Sequence, residues 1–174
     1  FYGKLCKAIE MKASEIGYDL IISNSYEDSE REIKLINNLL NKSIDGLILA
    51  SSLENPSQLN FLKERNFPFV LLDRIFDDFQ VDSVSVSNIE GAKQAISYLQ
   101  TQGKNKIACL TISPVYISSI ADRIKGYLEE LDDTENACLI QIPHDNIDVG
   151  INKALKQIEN QEFDAVFCVN NDLT

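Results

Sequence analysis

The residues Phe69-Val70-Leu71-Leu72-Asp73-Arg74 show the pattern from which the fold class of this chain can be predicted. Its apolar part is too short for a typical helix and shows no alternation with polar residues, so it predicts a strand that is buried on both faces. The two charged residues that follow mark the end of the strand. The same pattern, a short apolar run followed by small or polar residues, recurs at 46–50, 107–111, 138–142 and 165–169.

Segments with helical spacing of apolar residues separate these strands. Leu5, Ile9 and Ile16 mark a first helix that ends at Gly17, and the apolar run at 20–22 predicts another buried strand. Further helices are predicted at 27–41, 55–62, 87–102, 117–131 and 149–160. Short buried strands that alternate with helices predict a doubly wound α/β fold with parallel sheets covered on both faces.

The best boundary between two lobes lies at 81–87. Valine alternates there with aspartate and serine, as in an extended crossing segment, and Ser87 and Glu90 have the spacing of a capping box for the next helix. This predicts an N-terminal lobe of residues 1–87 and a C-terminal lobe of residues 88–174. Because the chain begins within a helix and ends shortly after a strand, we expect both lobes to be incomplete, with the first strand missing.

Composition and charge exclude several classes of protein. The 174 residues include 16 Lys and Arg against 27 Asp and Glu, which gives a formal net charge of −11. Such a segment is unsuited to gripping a nucleic-acid backbone, which requires clustered cations. No apolar run approaches the roughly 20 residues of a membrane-spanning helix. The four cysteines lie far apart in apolar stretches, which predicts buried free thiols and a reducing cytoplasm.

Polar residues gather where the predicted strands end. In open parallel sheets, ligands bind outside the carboxyl ends of the strands, where loops and helix N-termini converge. The candidates at these ends are Asp73, Arg74, Ser113, Asp145, Asn171 and Asp172. Their mixture of donors and acceptors fits a polyhydroxylated or heterocyclic ligand. The alternative is that such residues only cap the helices that follow.

Arg123 and the two aromatic residues at the start of the chain are further candidates. Arg123 lies near the beginning of a predicted helix, where a cation is unfavourable unless an anion or a ligand acceptor meets it. A surface ion pair with Asp122 or Glu129 is the alternative. Phe1 and Tyr2 are suited to stacking on a sugar face or a base, with core packing as the competing interpretation.

The sequence carries no signal for catalysis. His144 is the only histidine, and nothing near it resembles a nucleophile elbow, which favours a solvated loop residue. Both common glycine-rich phosphate-binding motifs are absent, and no His/Cys cluster has metal-ligand spacing. We therefore expect no enzyme activity, no metal and no cofactor.

A series of motifs follows in a fixed order along the chain. They are Gly17-Tyr18-Asp19-Leu20, Ser43-Ile44-Asp45-Gly46-Leu47-Ile48-Leu49, Phe67-Pro68-Phe69-Val70-Leu71-Leu72-Asp73-Arg74, Asp82-Ser83-Val84-Ser85-Val86-Ser87-Asn88, Arg123-Ile124-Lys125-Gly126-Tyr127 and Val166-Phe167-Cys168-Val169-Asn170-Asn171-Asp172. Each motif alone is weakly specific. Their joint order over the whole chain resembles the effector-binding core of the LacI/GalR family of bacterial transcriptional regulators.

This resemblance implies a periplasmic-binding-protein-like type I fold, in which two Rossmann-like lobes hold an effector between them. The family's N-terminal helix-turn-helix domain is absent from this chain. By position in the motifs, Phe1 and Tyr2 would line the cleft from the first lobe and Asp73 would lie at its floor. Arg123 and Asp172 would face them from the second lobe.

Three departures from the family pattern concern the loops around this site. Asp145 stands near the position where the family often has an aromatic residue that stacks on the ligand. Lys104 replaces the usual histidine after Gly103, and residues 111–114 replace a glycine-rich turn. The identity of the effector therefore does not carry over from any relative.

The resemblance implies a ligand-gated transcription regulator that acts in the cytoplasm as a homodimer. Its partners would be a sugar, sugar phosphate or purine-like effector, and operator DNA bound through the absent N-terminal domain, with no membrane contact. A periplasmic sugar-binding protein of an uptake system is the alternative, against which the free thiols speak. An α/β enzyme is a weaker third interpretation, because no base or nucleophile stands out.

Overall fold

The computed structural model describes residues 2–131, 137–170 and 173. Contacts within the chain group it into two compact units, Phe1–Asp45 and Gly46–Thr174. The first unit contains helices α1 (Tyr2–Glu15) and α2 (Ser29–Leu40). Asp28 caps α2, since its side chain accepts a hydrogen bond from the Arg31 amide at 3.0 Å.

The second unit contains two parallel sheets and the helices that connect their strands. Its elements are β1 (Leu47–Leu49), a 3₁₀ turn (Pro56–Leu59), α3 (Asn60–Glu64), β2 (Phe69–Leu72), β3 (Ser83–Val84), α4 (Asn88–Thr101), β4 (Ile107–Ile112), α5 (Ser118–Glu130), β5 (Cys138–Ile142), a second 3₁₀ turn (His144–Asn146), α6 (Ile147–Asn160) and β6 (Ala165–Cys168). The strand orders are β1-β2-β3 and β5-β4-β6, and every pairing is parallel. The predicted α/β fold class is confirmed.

Strand β4 forms the centre of the second sheet, and all six of its residues are buried. Cys109 faces a core that includes Ile96 of α4 and Ile120 of α5. Ala108 and Leu110 face the opposite core, against α6. Helices therefore cover both faces of this sheet, which explains why the sequence of β4 is continuously apolar.

Close packing of α4 against α5 depends on Gly126. A Cβ atom at this position would collide with the carbonyl oxygen of Ile89 and lie 2.8 Å from the Cβ of Ala92. Lys93 of α4 and Glu129 of α5 add an ion pair of 2.7 Å at the edge of this contact. The motif Arg123-x-x-Gly126-Tyr127 thus contains the residue that permits the two helices to approach.

Tyr127 and Asp164 hold the amino-terminal edge of the second sheet together. The fully buried Tyr127 hydroxyl donates to the Ile107 carbonyl at 2.8 Å and accepts from the Cys138 amide at 2.9 Å. Burial raises the pKa of Tyr127 to about 12, so this hydroxyl stays protonated. The Asp164 carboxylate accepts from the amides of Asn105 and Lys106 at 3.2 and 3.0 Å.

Two local predictions are wrong. Residues 20–22 form no strand, and Ile21 and Ile22 are 53% and 63% exposed. A strand requires a hydrogen-bonded neighbour, and no described strand pairs with this segment. The capping box at Ser87 is also not formed, because the Ser87 side chain makes no capping hydrogen bond to α4.

All four cysteines are free, but only Cys109 is buried, while Cys6, Cys138 and Cys168 are partly exposed. Burial raises the pKa of Cys109 to about 12, which keeps it a thiol. Among the described residues, no helix is long and apolar enough to span a membrane.

Candidate ligand-binding site

The carboxyl edge of the first sheet carries two buried serines. Ser51 and Ser52 follow β1 and are each 3% exposed. The Ser51 hydroxyl accepts from the Leu53 amide at 3.2 Å, and its carbonyl accepts from Nη1 of Arg74 at 3.4 Å. The loop after β1 is therefore fixed to the residues that follow β2.

Asp73 turns the chain immediately after β2. Its backbone has φ +66°, a left-handed conformation that aspartate tolerates better than most residues. The Asp73 amide donates to the Val84 carbonyl at 2.8 Å, which ties the turn to β3. Asp73 itself is half-buried.

The carboxyl edge of the second sheet is also organised by hydrogen bonds. The Ser113 amide donates to the Ile142 carbonyl at 2.9 Å, which holds the end of β4 beside the end of β5. Oδ1 of Asn170 accepts from the Ile112 amide at 3.0 Å, which holds the end of β6 in place. Asp145 lies in the exposed 3₁₀ turn after β5.

Arg123 is held by two elements other than its own helix. Its Nε donates to Oδ1 of Asn88 at 2.9 Å, and its Nη1 donates to the Val169 carbonyl at 2.7 Å. The alternative of a surface ion pair with Asp122 or Glu129 is wrong: no described salt bridge joins Arg123 to either carboxylate, and Glu129 pairs with lysines of α4 and α5. The guanidinium therefore lies at the carboxyl end of β6, beside the start of α4.

Two hydrogen bonds join the carboxyl edges of the two sheets. The Ile75 amide donates to Oγ of Ser118 at 2.8 Å, and the Tyr116 hydroxyl donates to the Ser52 carbonyl at 3.4 Å. The segment containing Asp73 and Arg74 is thereby attached to the start of α5, the helix that carries Arg123. No described hydrogen bond connects Asp145 to this group.

The region where the segment containing Asp73 and Arg74 meets α5 is acidic. Burial raises the pKa of Asp122 above its usual value, the nearby carboxylate of Asp77 raises it further, and Lys125 opposes the shift. Within residues 2–131, 137–170 and 173, no group of three or more His, Cys, Asp or Glu side chains has the geometry of a metal site.

Several predicted residues cannot be placed in this group. Phe1, Asn171 and Asp172 lie outside the described residues. Tyr2 begins α1 in the first unit and is 39% exposed.

Three residues whose side chains join these elements were not among the predicted site residues. These are Asn88, Tyr116 and Ser118, whose side chains hydrogen-bond to residues 35 to 64 positions away. For Asn88, the signal in the sequence was its position at the end of the Asp82–Asn88 motif, directly before a predicted helix. Nothing in the sequence singles out Tyr116 or Ser118.

Comparison with known proteins identifies the group to which the chain is related. Residues 1–172 match the family model described as periplasmic binding proteins and sugar binding domain of LacI family. The chain belongs to this family. The LacI-type resemblance predicted from the motifs is therefore confirmed.

Relatives of this LacI-type domain include transcriptional regulators. The HTH-type transcriptional regulator DegA of Bacillus subtilis is 26% identical over 99% of this chain and 53% of its own length. Catabolite control protein A of Priestia megaterium is 28% identical, with the same two coverages. The chain thus spans about half the length of these curated relatives. Their identity as regulators favours the regulator interpretation over a transport protein.

Solved structures share the fold of the LacI-type domain. The Cra transcriptional dual regulator from Pseudomonas putida, in complex with fructose 1-phosphate, superposes with a TM-score of 0.84 at 23% identity, covering 96% of this chain and 63% of that one. A LacI family regulator from Enterococcus faecium with bound ribose gives a TM-score of 0.82 at 23% identity, with coverages of 99% and 63%. These likenesses confirm the periplasmic-binding-protein-like fold.

Proposed function

We propose that this LacI-type domain binds a small sugar or sugar phosphate between the carboxyl edges of its two parallel sheets. The observation that carries the proposal is the pair of hydrogen bonds, Ile75 to Ser118 and Tyr116 to Ser52, that brings the two edges together. Parallel sheets bind ligands at these edges because helix N-termini and loops converge there. Asp73 and Arg123 are the polar groups that we assign to the ligand from opposite sides.

The proposed side chains have complementary chemistry for a hydroxylated ligand. The Asp73 carboxylate accepts hydrogen bonds from hydroxyl groups, and the Arg123 guanidinium donates in a rigid fork to hydroxyl or phosphate oxygens. Arg74, Ser113 and Asp145 supply further donors and acceptors on the loops that follow β2, β4 and β5. We also propose that Asn171 and Asp172 contact the ligand, on the basis of the Val166–Asp172 motif alone.

The ligand classes follow from the relatives. One structural neighbour holds fructose 1-phosphate and another holds ribose, so we propose a sugar or a sugar phosphate. A purine-like effector is the remaining class to test. Because the relatives reported above are regulators, we infer that the domain binds its ligand without transforming it.

In the whole protein, we propose that ligand binding controls the affinity for operator DNA. The net charge of −11 leaves DNA contact to a separate N-terminal helix-turn-helix domain. A ligand shifts the arrangement of the lobes only by the difference in its affinity for the two arrangements. A coupling free energy of about 1–3 kcal/mol would change operator affinity about 5- to 150-fold. We place this regulator in the cytoplasm as a homodimer.

Titration calorimetry tests the binding proposal directly. Ribose, fructose 1-phosphate and a purine would be titrated into the wild type and into Arg123→Ala. We expect one ligand to bind, and we expect Arg123→Ala to weaken it by about tenfold or more, as loss of hydrogen bonds to a charged group does. Arg65→Ala is the matched control, because Arg65 is an exposed residue at the end of α3. Equal affinity of the wild type and Arg123→Ala would contradict the site assignment.

A further inference from the structure

The side chain of Asn88 holds the guanidinium of Arg123 in one orientation. Asn88 is the first residue of α4, and its Oδ1 accepts from Nε of Arg123 at 2.9 Å. The second bond, from Nη1 to the Val169 carbonyl at 2.7 Å, comes from a different nitrogen. Because the guanidinium is planar, two bonds from two of its nitrogens fix the direction of the whole group.

These two bonds leave donors for another partner. An arginine side chain carries five N–H donors, and the two bonds above use one on Nε and one on Nη1. The remaining donors, one on Nη1 and two on Nη2, point in directions that the first two bonds determine. Among the described residues, no carboxylate forms a salt bridge with Arg123.

The burial of Asn88 agrees with a specific role. Asn88 is 6% exposed, although asparagine is mostly found at exposed positions. A buried amide is unfavourable unless it is hydrogen-bonded, and here the partner is Arg123. Asparagine also supplies a neutral acceptor, so the guanidinium keeps its full positive charge for a ligand oxygen.

We propose that Asn88 is a positioning residue that orients Arg123 toward the effector. This inference rests on the proposed function, in which Arg123 binds the ligand. It adds a role for a residue that lies 35 positions before Arg123 in the sequence and belongs to a different helix. If Asn88 had a purely structural role, it would contribute to stability. Its substitution would then affect affinity equally whether or not Arg123 is present.

A double-mutant cycle in the full chain separates these roles. Ribose and fructose 1-phosphate would each be titrated into the wild type, Asn88→Ala, Arg123→Ala and the double variant, at a temperature well below each melting point. We expect Asn88→Ala to weaken binding by at least about fivefold and the double variant to bind no more weakly than Arg123→Ala alone. If the factors by which the two single substitutions weaken binding multiply in the double variant, the proposal is overturned.

Two further variants distinguish positioning from loss of stability. Tyr127→Phe removes buried hydrogen bonds from the same helix at the opposite edge of the sheet, and we expect it to keep wild-type affinity. Asn88→Asp keeps an acceptor oxygen, and we expect its affinity for uncharged ribose to stay within about twofold of the wild type. Loss of ribose binding in Asn88→Asp equal to that in Asn88→Ala would count against positioning.

The possible failures are distinguishable. If the wild type binds neither sugar, the proposed function fails and the inference falls with it. If the wild type binds and Arg123→Ala is weaker, but Asn88→Ala binds as tightly as the wild type, only the role of Asn88 is refuted.

Discussion

The two edges of the second sheet differ in how their polar groups are satisfied. At the amino-terminal edge, Tyr127 and Asp164 bond to backbone groups of the sheet itself. At the carboxyl edge, Arg123 bonds to a side chain of α4 and a carbonyl after β6, and Ser118 bonds to a loop of the first sheet. The polar groups of one edge therefore bond to the strands of their own sheet, while the other edge brings together side chains from several elements.

We therefore expect effects on stability and on ligand binding to be separable along one helix. Tyr127 and Arg123 lie on α5 only about one helical turn apart. Substitutions toward the amino edge or in the α4–α5 contact should lower the free energy of unfolding and leave affinity unchanged. Substitutions at the carboxyl edge should weaken ligand binding more than they lower the free energy of unfolding.

The largest effect is expected for Gly126→Val. The new side chain would collide with the Ile89 carbonyl and the Ala92 side chain and force α4 away from α5. We expect a loss of about 3 kcal/mol or more in the free energy of unfolding, measured by urea denaturation. Gly91→Ala is the matched control: nothing lies within 4 Å of its added Cβ, so stability should stay the same or rise. Equal stability of Gly126→Val and the wild type would refute this account of the helix contact.

Tyr127→Phe comes next. It leaves the Ile107 carbonyl and the Cys138 amide without their buried partner, at a cost of about 1–3 kcal/mol in the free energy of unfolding. Chemical denaturation measures the loss, and calorimetry with the bound ligand should show unchanged affinity. A variant that keeps its stability but loses affinity would reverse the assignment of the two edges.

Asp73→Asn tests the carboxyl edge of the first sheet, which the hydrogen bond from the Ile75 amide to Ser118 joins to the carboxyl edge of the second. Asparagine adopts the left-handed backbone of Asp73 as readily as aspartate, so the change should not strain the turn after β2. Loss of the carboxylate should weaken ligand binding by about tenfold, since hydrogen bonds to charged groups are the stronger ones. Calorimetry checks the affinity, and thermal unfolding checks the stability. Unchanged affinity would remove Asp73 from the site.

The smallest effect is expected for Asp164→Asn and depends on pH. Hydrogen bonds from the Lys106 and Asn105 amides lower the pKa of Asp164 below its usual value of 3.8. The charged carboxylate therefore stabilises the folded state above that pH, and this contribution is lost as the pH falls through the lowered pKa. Melting temperatures from pH 3 to 7 should show the variant below the wild type at neutral pH and the two converging in acid. Glu159→Gln, which also replaces an exposed carboxylate by an amide, on α6, is the control measured alongside it.

Much of the fold could be predicted because buried segments have a recognisable local sequence pattern. Strand β4 has helices on both faces, so each of its residues must be compatible with burial, and the continuous apolar run records this. Residues 20–22 form a similar apolar run but no strand. A strand requires a hydrogen-bonded neighbouring strand, and the apolar run alone does not supply one. The position of Asp73 after β2 was predictable for the same local reason, since strand ends are visible in sequence.

Local sequence patterns were sufficient to predict the fold class, the family and the positions of β1, β2, β4, β5 and β6, since these depend on apolar periodicity and on the order of motifs. The three-dimensional packing was needed to show that Arg123 contacts Asn88 and Val169, which lie 35 and 46 residues away, and that Ser118 contacts Ile75. A hydrogen bond between distant residues follows from how helices and sheets pack. Packing is a property of the whole unit, whereas burial and capping leave their signals within a few neighbouring residues.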